Sequence, residues 1–451
     1  MNRKKAGALV AMTALVALPL AACSGGGSDS GSADGTTVSW WTWDDKQAVS
    51  YGKCEAAFEE ANPEIDVEIS QYAWDDYWAK ITAGFVGGNA PDSFQNHPAY
   101  YPEFADQGQL LALNDDIAAS DFDMDQYAVG LSTWGEYKDG NTYGLPKDWS
   151  TLAFWYNEDL ITEAGYSADD LAEMTWNAQD GGSFEEIIAH LTVDKNGVRG
   201  DEAGFDKDNV AVYGTGTLTG GGINGQDTWA QFAPTTGWTL GDKENWPTTF
   251  QYSDPDYVDT ANWIRSVVDK GYMPAFGEFS TGIAEQIGSK SVAMVQGGSW
   301  YLTTFQGLEG VTVKTAPSVI GPEGERAALS GSNADSIWAG SKNAEAAWTW
   351  ISYMGTEECQ SLAGADGTFF PSIKASMDAS VEALAADGVD LSAFTVQFDD
   401  GTLYEAPLFS GGTEVQSTIA PMSEQFWTGE RDDDVFTEMD EASQQIFADN
   451  N

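Results

Sequence analysis

The chain is poor in the residues that most catalytic and metal centres use. It holds two histidines, His97 and His190, and three cysteines, with no Cys-x-x-Cys pair. That leaves no zinc site of the usual donor set, and neither a metal nor a cofactor is expected. No Ser-His-Asp arrangement can be built either. His97 adjoins Pro98 and His190 falls on an amphipathic stretch, so each reads as structural or ligand-contacting rather than as a general base. Positive charge is scarce: 20 lysines and arginines face 71 acidic residues, a formal net charge of -51. Phosphate recognition needs concentrated Lys and Arg, so nucleic acid is excluded as a partner. A membrane-spanning segment is missing as well. The N-terminal apolar run, Ala6 to Leu20, is 15 residues long, and a spanning helix requires roughly 20.

That run has another use. Arg3, Lys4 and Lys5 precede it and Leu20-Ala21-Ala22-Cys23 closes it, which is the order of an export signal. A cysteine directly after Leu-Ala-Ala resembles the bacterial lipobox, which implies that residues 1–22 are removed and that the Cys23 thiol carries a diacylglyceryl group. Ser24 to Gly35 contains only Ser, Gly, Asp and one Ala, too little apolar surface to fold. Residues 23–35 therefore read as a flexible tether holding the body roughly 20 Å from the lipid. The expected location is the extracellular face of the cell membrane. Loss of Arg3, Lys4 and Lys5 leaves 17 basic against 71 acidic residues, a net charge of -54. Such acidity keeps a surface protein soluble and repels it from an anionic bilayer, so the lipid is the only expected attachment.

About 415 residues follow the tether, too many for one core and suited to two domains. Thr36 to Trp41 reads as a strand, Ala48 to Ala61 as a helix stopped by Asn62-Pro63, Ile65 to Ile69 as an alternating strand, and Asp75 to Phe85 as a helix. Strand and helix in alternation argue for an α/β lobe with a largely parallel sheet. The alternation resumes with strands at Thr151 to Tyr156, Ser291 to Val295 and Val311 to Ala316, and with helices at Ser183 to Leu191, Tyr257 to Lys270 and Ala344 to Met354. Between them, Asp194 to Asp254 has few periodic segments. Its Asp194-Lys195-Asn196-Gly197 and Asp206, Asp208, Asn209 are oxygen-rich, but the EF-hand spacing is absent and solvated loops are expected.

Tryptophan is abundant, 18 in all, and three segments set it beside polar groups: Trp41-Thr42-Trp43-Asp44-Asp45, Asp148-Trp149-Ser150, and Gly297-Gly298-Ser299-Trp300-Tyr301. The first and third follow strands, where α/β sheets place ligands. An indole has a flat apolar face and one NH donor, and carboxylates or amides accept hydroxyls. Sugars, with an apolar CH face and a hydroxyl rim, suit such a surface. Any single tryptophan is still more often core than contact.

Four stretches carry a resemblance: NAPDSFQNHPAYYPEFADQGQLLALNDDI from Asn89, YGLPKDWSTLAFWYNEDLITEAG from Tyr143, SKSVAMVQGGSWYL around Trp300, and AAWTWISYMGTEECQSLAG from Ala346. In this order they resemble the extracellular solute-binding proteins of carbohydrate ABC importers, the group of the maltose- and maltodextrin-binding proteins. The resemblance implies a two-lobed α/β fold of the periplasmic-binding-protein type (type II), its lobes joined by a multi-strand hinge with the ligand cleft between them. Lobe one would comprise residues 36–146 and 335–379, and lobe two 147–334 and 380–451. By position, Trp43, Asp44 and Asp45 match the first ligand loop of that family and Asn96 with His97 the second. Asp148, Trp149 and Ser150 fall at the hinge, Gly298, Ser299 and Trp300 at the stacking position of lobe two, Asn333 at the second crossing, and Phe369 and Phe370 at one end of the cleft. A departure is Ala99-Tyr100, where some relatives hold a cation. Cys54 and Cys359 are left once Cys23 is lipidated, and an oxidising compartment lets them pair or stay free. The resemblance places both in lobe one, which implies a disulfide. The implied ligand is an oligosaccharide, the implied partners are ABC permease subunits, and a monomer without enzymatic activity is expected.

Two rivals set the test. A secreted glycoside hydrolase would need two carboxylates roughly 5 to 10 Å apart, one with a raised pKa; among 71 acidic residues some pair always looks suitable, and Asp44-Asp45 reads better as a hydrogen-bonding pair. The same fold could instead take a peptide or cationic solute, but the predicted loops mix tryptophan with only a few acids.

Overall fold

Alternation fixes the first sheet. In β1 (Thr36–Thr42), Val38, Trp40 and Thr42 are buried while their neighbours are not. The computed structural model describes residues 35–120, 122–128, 131 and 135–450; the export signal, Cys23 and the tether up to Asp34 lie outside the described residues. After β1 comes α1 (Asp45–Ala61), then β2 (Ile65–Gln71), α2 (Trp74–Gly87), β3 (Ser93–Asn96) and the short α3 (Tyr101–Asp106). β2 and β3 flank β1 in parallel, so the strands need covering on both faces. Phe58 and Trp350 cover one face; Tyr77, Trp78, Phe94 and Phe104 cover the other.

The long β4 (Leu145–Asn157) joins the two halves. Beyond it lie β5 (Val193–Asp194), β6 (Val210–Thr215), β7 (Val292–Gly298), β8 (Val313–Ala316), β9 (Ala328–Ile337), β10 (Phe370–Pro371) and β11 (Leu403–Glu405). The strand order is β2-β1-β3-β9-β4-β7-β6-β5. The first half of β4 pairs antiparallel with β9, its second half with β7 and β8. β9 in turn reaches β3, and β10 pairs with β4 at Trp149 and Asp148. The result is an α/β protein of two lobes, with β4 and β9 as the crossing strands. A large aromatic core containing Phe154, Phe184, Trp229, Phe232 and Trp263 fills the second lobe.

Two features differ from the sequence expectation. β4 begins at Leu145, well before Thr151, because Lys147 and Asp148 lie inside it and neutralise each other, Nζ to Oδ2 2.7 Å, with side chains 0% and 2% exposed. The aperiodic stretch from Asp194 to Asp254 is well packed, with Trp229, Trp238, Phe250 and Tyr252 buried. Its Asp194 carboxylate accepts the amides of Asn196, Val198 and Asp206 at 2.7, 2.9 and 3.0 Å. It staples a loop. Among the described residues no group of three or more His, Cys, Asp or Glu could hold a metal ion, and no helix is long and apolar enough to cross a membrane.

Cys54 on α1 and Cys359 on the helix Glu357–Gly364 are joined by a disulfide with Cα atoms 5.2 Å apart, and both are fully buried.

Candidate functional site

Parallel strands deliver their following loops to one edge of a sheet, and in this chain two such edges face each other. β1 ends at Trp43-Asp44-Asp45 and β3 at Asn96-His97, while β7 ends at Gly298-Ser299-Trp300. Polar bonds bridge the lobes around them. Lys46 Nζ, in the first turn of α1, donates to Thr304 Oγ1 at 2.5 Å. Thr413 Oγ1 donates to Glu103 Oε2 at 2.7 Å and Ser410 Oγ to Asp106 Oδ2 at 3.0 Å. The Trp246 ring meets Tyr137 edge-on at 5.0 Å.

Trp300 is half-buried. Its ring folds back over Gly298, where a Cβ would come within 2.0 Å of Cζ3, so only glycine fits there. Leu152, Ala230 and Leu329 support it from below. Ser299 beside it is 2% exposed, and its Oγ has no hydrogen-bond partner.

In the first lobe, Trp43 is half-buried within an aromatic group, edge-on to Trp74 at 5.1 Å and to His97 at 6.1 Å. Tyr100, at the departure from relatives that hold a cation, stacks on Trp78 at 3.8 Å. Burial lowers the His97 pKa to about 4, and its Nδ1 accepts the Ala99 amide at 3.1 Å, so the ring is neutral. Asp45 is exposed. Asp44 Oδ1 accepts the amides of Lys46 and Gln47, both at 2.9 Å, and thereby caps α1. Burial raises its pKa against those amide bonds.

Several candidates are bonded or packed within the protein. Asn96 is fully buried; its Nδ2 donates to Ser336 Oγ at 3.1 Å and its Oδ1 accepts the His97 amide at 3.0 Å. Asp148 is buried between Lys147 and Asn333, whose Nδ2 donates to Asp148 Oδ1 at 2.7 Å. Trp149 and Phe370 are 3% and 2% exposed and pack on each other, ring centroids 5.1 Å apart. Phe369 stacks flat on Tyr51 at 5.2 Å inside the first lobe. These rings are buried, Trp149 and Phe370 on strands and Phe369 just before one, and their polar neighbours in sequence disguised them. Ser150, half-buried, donates to the Gly331 carbonyl at 3.0 Å, and Asn333 is also half-buried. The structure thus brings Trp43, Asp45, His97, Ser150, Asn333 and Trp300 to accessible positions.

One residue was missed. Asp227, in the aperiodic stretch, presents a buried Oδ1 without a partner beside the Gly298 amide. Burial raises its pKa to about 7, with that amide working the other way. No periodicity or motif marks it. Behind the hinge, Asp335 accepts Trp40 Nε1 at 2.8 Å. Burial raises its pKa to about 7, opposed by Lys147.

Two lobes joined by crossing strands, with aromatic and polar side chains gathered at the facing edges, are the frame of a two-lobed binding protein. The chain belongs to the bacterial extracellular solute-binding protein family, whose model matches residues 54–388. A binding protein of Brucella abortus is 23% identical over 86% of this chain and 87% of its own length. The lactose-binding protein of Rhizobium radiobacter is 30% identical over 149 residues, 31% of this chain and 33% of that protein. Among solved structures, an ABC substrate-binding protein from Listeria monocytogenes in complex with cycloalternan superposes with a TM-score of 0.78 at 19% identity, covering 92% of this chain and 100% of the other. The GacH receptor of Streptomyces glaucescens, solved unliganded and with acarbose, gives 0.74 at 21% over 92% and 100%. These likenesses establish the shared fold.

Proposed function

We propose that this protein is the substrate-binding component of an ABC importer, which captures an oligosaccharide between its lobes and hands it on chemically unchanged. The observation that carries this reading is Trp300, a half-buried aromatic platform set beside a buried hydroxyl, Ser299 Oγ, that no protein group satisfies. A sugar ring fits both, its CH face on the indole and its hydroxyls on the polar atoms. Trp43, Asp45 and His97 from the first lobe, with Ser150 and Asn333 at the crossing strands, complete the surface that would touch it. Relatives that bind lactose, cycloalternan and acarbose support the ligand class.

Closure over the sugar would present a surface built from both lobes to permease subunits in the membrane. Lipid on Cys23 would keep the protein there, as a monomer on a short coil at the outer face. The role requires no catalytic group, consistent with a family of solute-binding proteins. A thermal-shift screen over maltose, lactose, mannotriose, acarbose and cycloalternan tests it. A bound sugar at about 100 times its Kd adds about 2.7 kcal/mol of stability. Absence of any shift removes the sugar reading, and turnover of an oligosaccharide by catalytic amounts of protein removes the non-enzymatic one.

A further inference from the structure

Asp227 has an arrangement that folding alone does not explain. Its φ is 62°, in the left-handed region that glycine prefers and that Asp tolerates better than most residues. The surrounding loop enforces this. Thr228 Oγ1 donates to the Gly225 carbonyl at 2.9 Å, and Trp229 Nε1 donates to the Gly220 carbonyl at 2.9 Å. The Trp229 ring, 1% exposed, lies where a Cβ on Gly225 would be, 2.2 Å away. A buried tryptophan therefore anchors a glycine loop that holds one carboxylate in an unfavourable backbone conformation. The carboxylate gains no ion pair from it. Its Oδ1 is unpartnered, and the Gly298 amide is the one group favouring its charge. Such a combination, strain plus an unsatisfied buried acceptor, is characteristic of functional positions.

Gly298 locates it. That residue lies beneath the Trp300 ring and next to Ser299, whose buried Oγ is likewise unpartnered, and Ala230, three residues after Asp227, supports the same indole. We infer that Asp227 is a specificity-determining residue of the cleft, whose free oxygen accepts a hydroxyl from the sugar ring lying on Trp300. This rests on the sugar-binding reading and deepens it: the ring on Trp300 must carry a hydroxyl donor at its edge. A ring with that hydroxyl removed leaves a buried carboxylate without a partner and is rejected.

Calorimetric titration of maltose, lactose, mannotriose and cycloalternan into the wild-type protein, Asp227→Asn and Asp227→Gly tests the assignment, with spermidine as the cationic arm. Glycine relieves the backbone strain, so this variant keeps the loop. The expected result is a roughly 10- to 100-fold loss of sugar affinity in Asp227→Gly, the range for a lost hydrogen bond to a buried charged group, and a smaller loss in Asp227→Asn, whose amide oxygen can still accept the hydroxyl. The melting temperature without sugar should stay equal or rise, because an unsatisfied buried carboxylate has been removed. Undiminished affinity in Asp227→Gly, or a lowered melting temperature in both variants, overturns the role of Asp227 and leaves sugar binding standing. Sugar-free behaviour of the wild type, with spermidine bound or not, overturns the sugar reading and this inference with it.

Discussion

Lys147→Met is the sharpest test of how the hinge is held together. The ammonium is fully buried, 2.7 Å from Asp148 Oδ2 and 2.5 Å from Gln47 Oε1, with the Tyr51 and Phe369 rings 4.5 and 5.2 Å from it. Methionine preserves most of the stem's packing but leaves two buried carboxylates, Asp148 and Asp335, without a cation. Breaking a buried pair by removing one partner costs about 3–5 kcal/mol. At roughly 2–4 °C per kcal/mol for a lobe of this size, the melting temperature should fall by about 6–20 °C. Two further readouts follow from the geometry. Because Lys147 holds the Asp335 pKa down, its removal pushes that pKa higher, so the variant should be hurt less at pH 5.5 than at pH 8. The double variant Lys147→Met/Asp148→Asn should lose less than the sum of the single changes, by about 0.5–3 kcal/mol of coupling. Urea unfolding followed by circular dichroism measures all three. A single variant within about 1 kcal/mol of the parent at pH 8 would refute the argument that this lysine neutralises the hinge.

Trp300→Ala should weaken sugar binding by roughly 1–3 kcal/mol in calorimetry, as truncation of a central aromatic anchor does, with an unchanged circular dichroism spectrum; equal affinity takes the indole out of the site. Replacing Cys54 and Cys359 by alanine should lower stability by about 2–5 kcal/mol, and thiol titration of the unfolded parent should reveal two more thiols after reduction than before. Asp335 has a folded pKa of about 7 against 3.8 for the free group. Its native state therefore holds the proton longer than the unfolded chain, so this contribution is fully present below about pH 4 and lost as pH rises through about 7. His97, lowered to about 4, contributes stability that is lost as pH falls through that value. Subtracting the profile of Asp335→Asn, which can still accept Trp40 Nε1, isolates the first effect: the wild type should fall relative to the variant between pH 5 and 8, and parallel profiles would remove it.

Much of the framework could be read directly. The alternation in Val38, Trp40 and Thr42, and the apolar face of Ala261, Ile264 and Val267, are local patterns that tertiary packing reinforces. The start of β4 was hidden because a Lys-Asp pair looks like surface until the two charges are seen to meet inside the protein. The burial of Trp149 is hidden for a related reason: Asp148 and Ser150 flank it on a strand whose polar neighbours bond within the hinge. Asp227 lay in a stretch whose order comes from glycine conformations and a buried tryptophan, and neither has a period. The close approach of the Trp300 ring to Gly298 does have a local signal, two glycines and a serine after an apolar strand.

The disulfide between α1 and the helix Glu357–Gly364 has a consequence for the order of assembly. Its cysteines are 305 residues apart, and β9, inserted between β3 and β4, arrives almost as late. At about 5–20 residues per second, the ribosome releases Cys359 roughly 15 to 60 s after Cys54. The first lobe therefore waits for most of the second to be made, and the helices Gly412–Trp427 and Asp434–Asn450 close the second lobe later still. Throughout that interval Cys54 on α1 lacks its partner cysteine, while the intervening chain supplies most of the second lobe's aromatic core. A cut in the exposed loops of that second lobe, after maturation, would leave two polypeptides still tied together by this one bond.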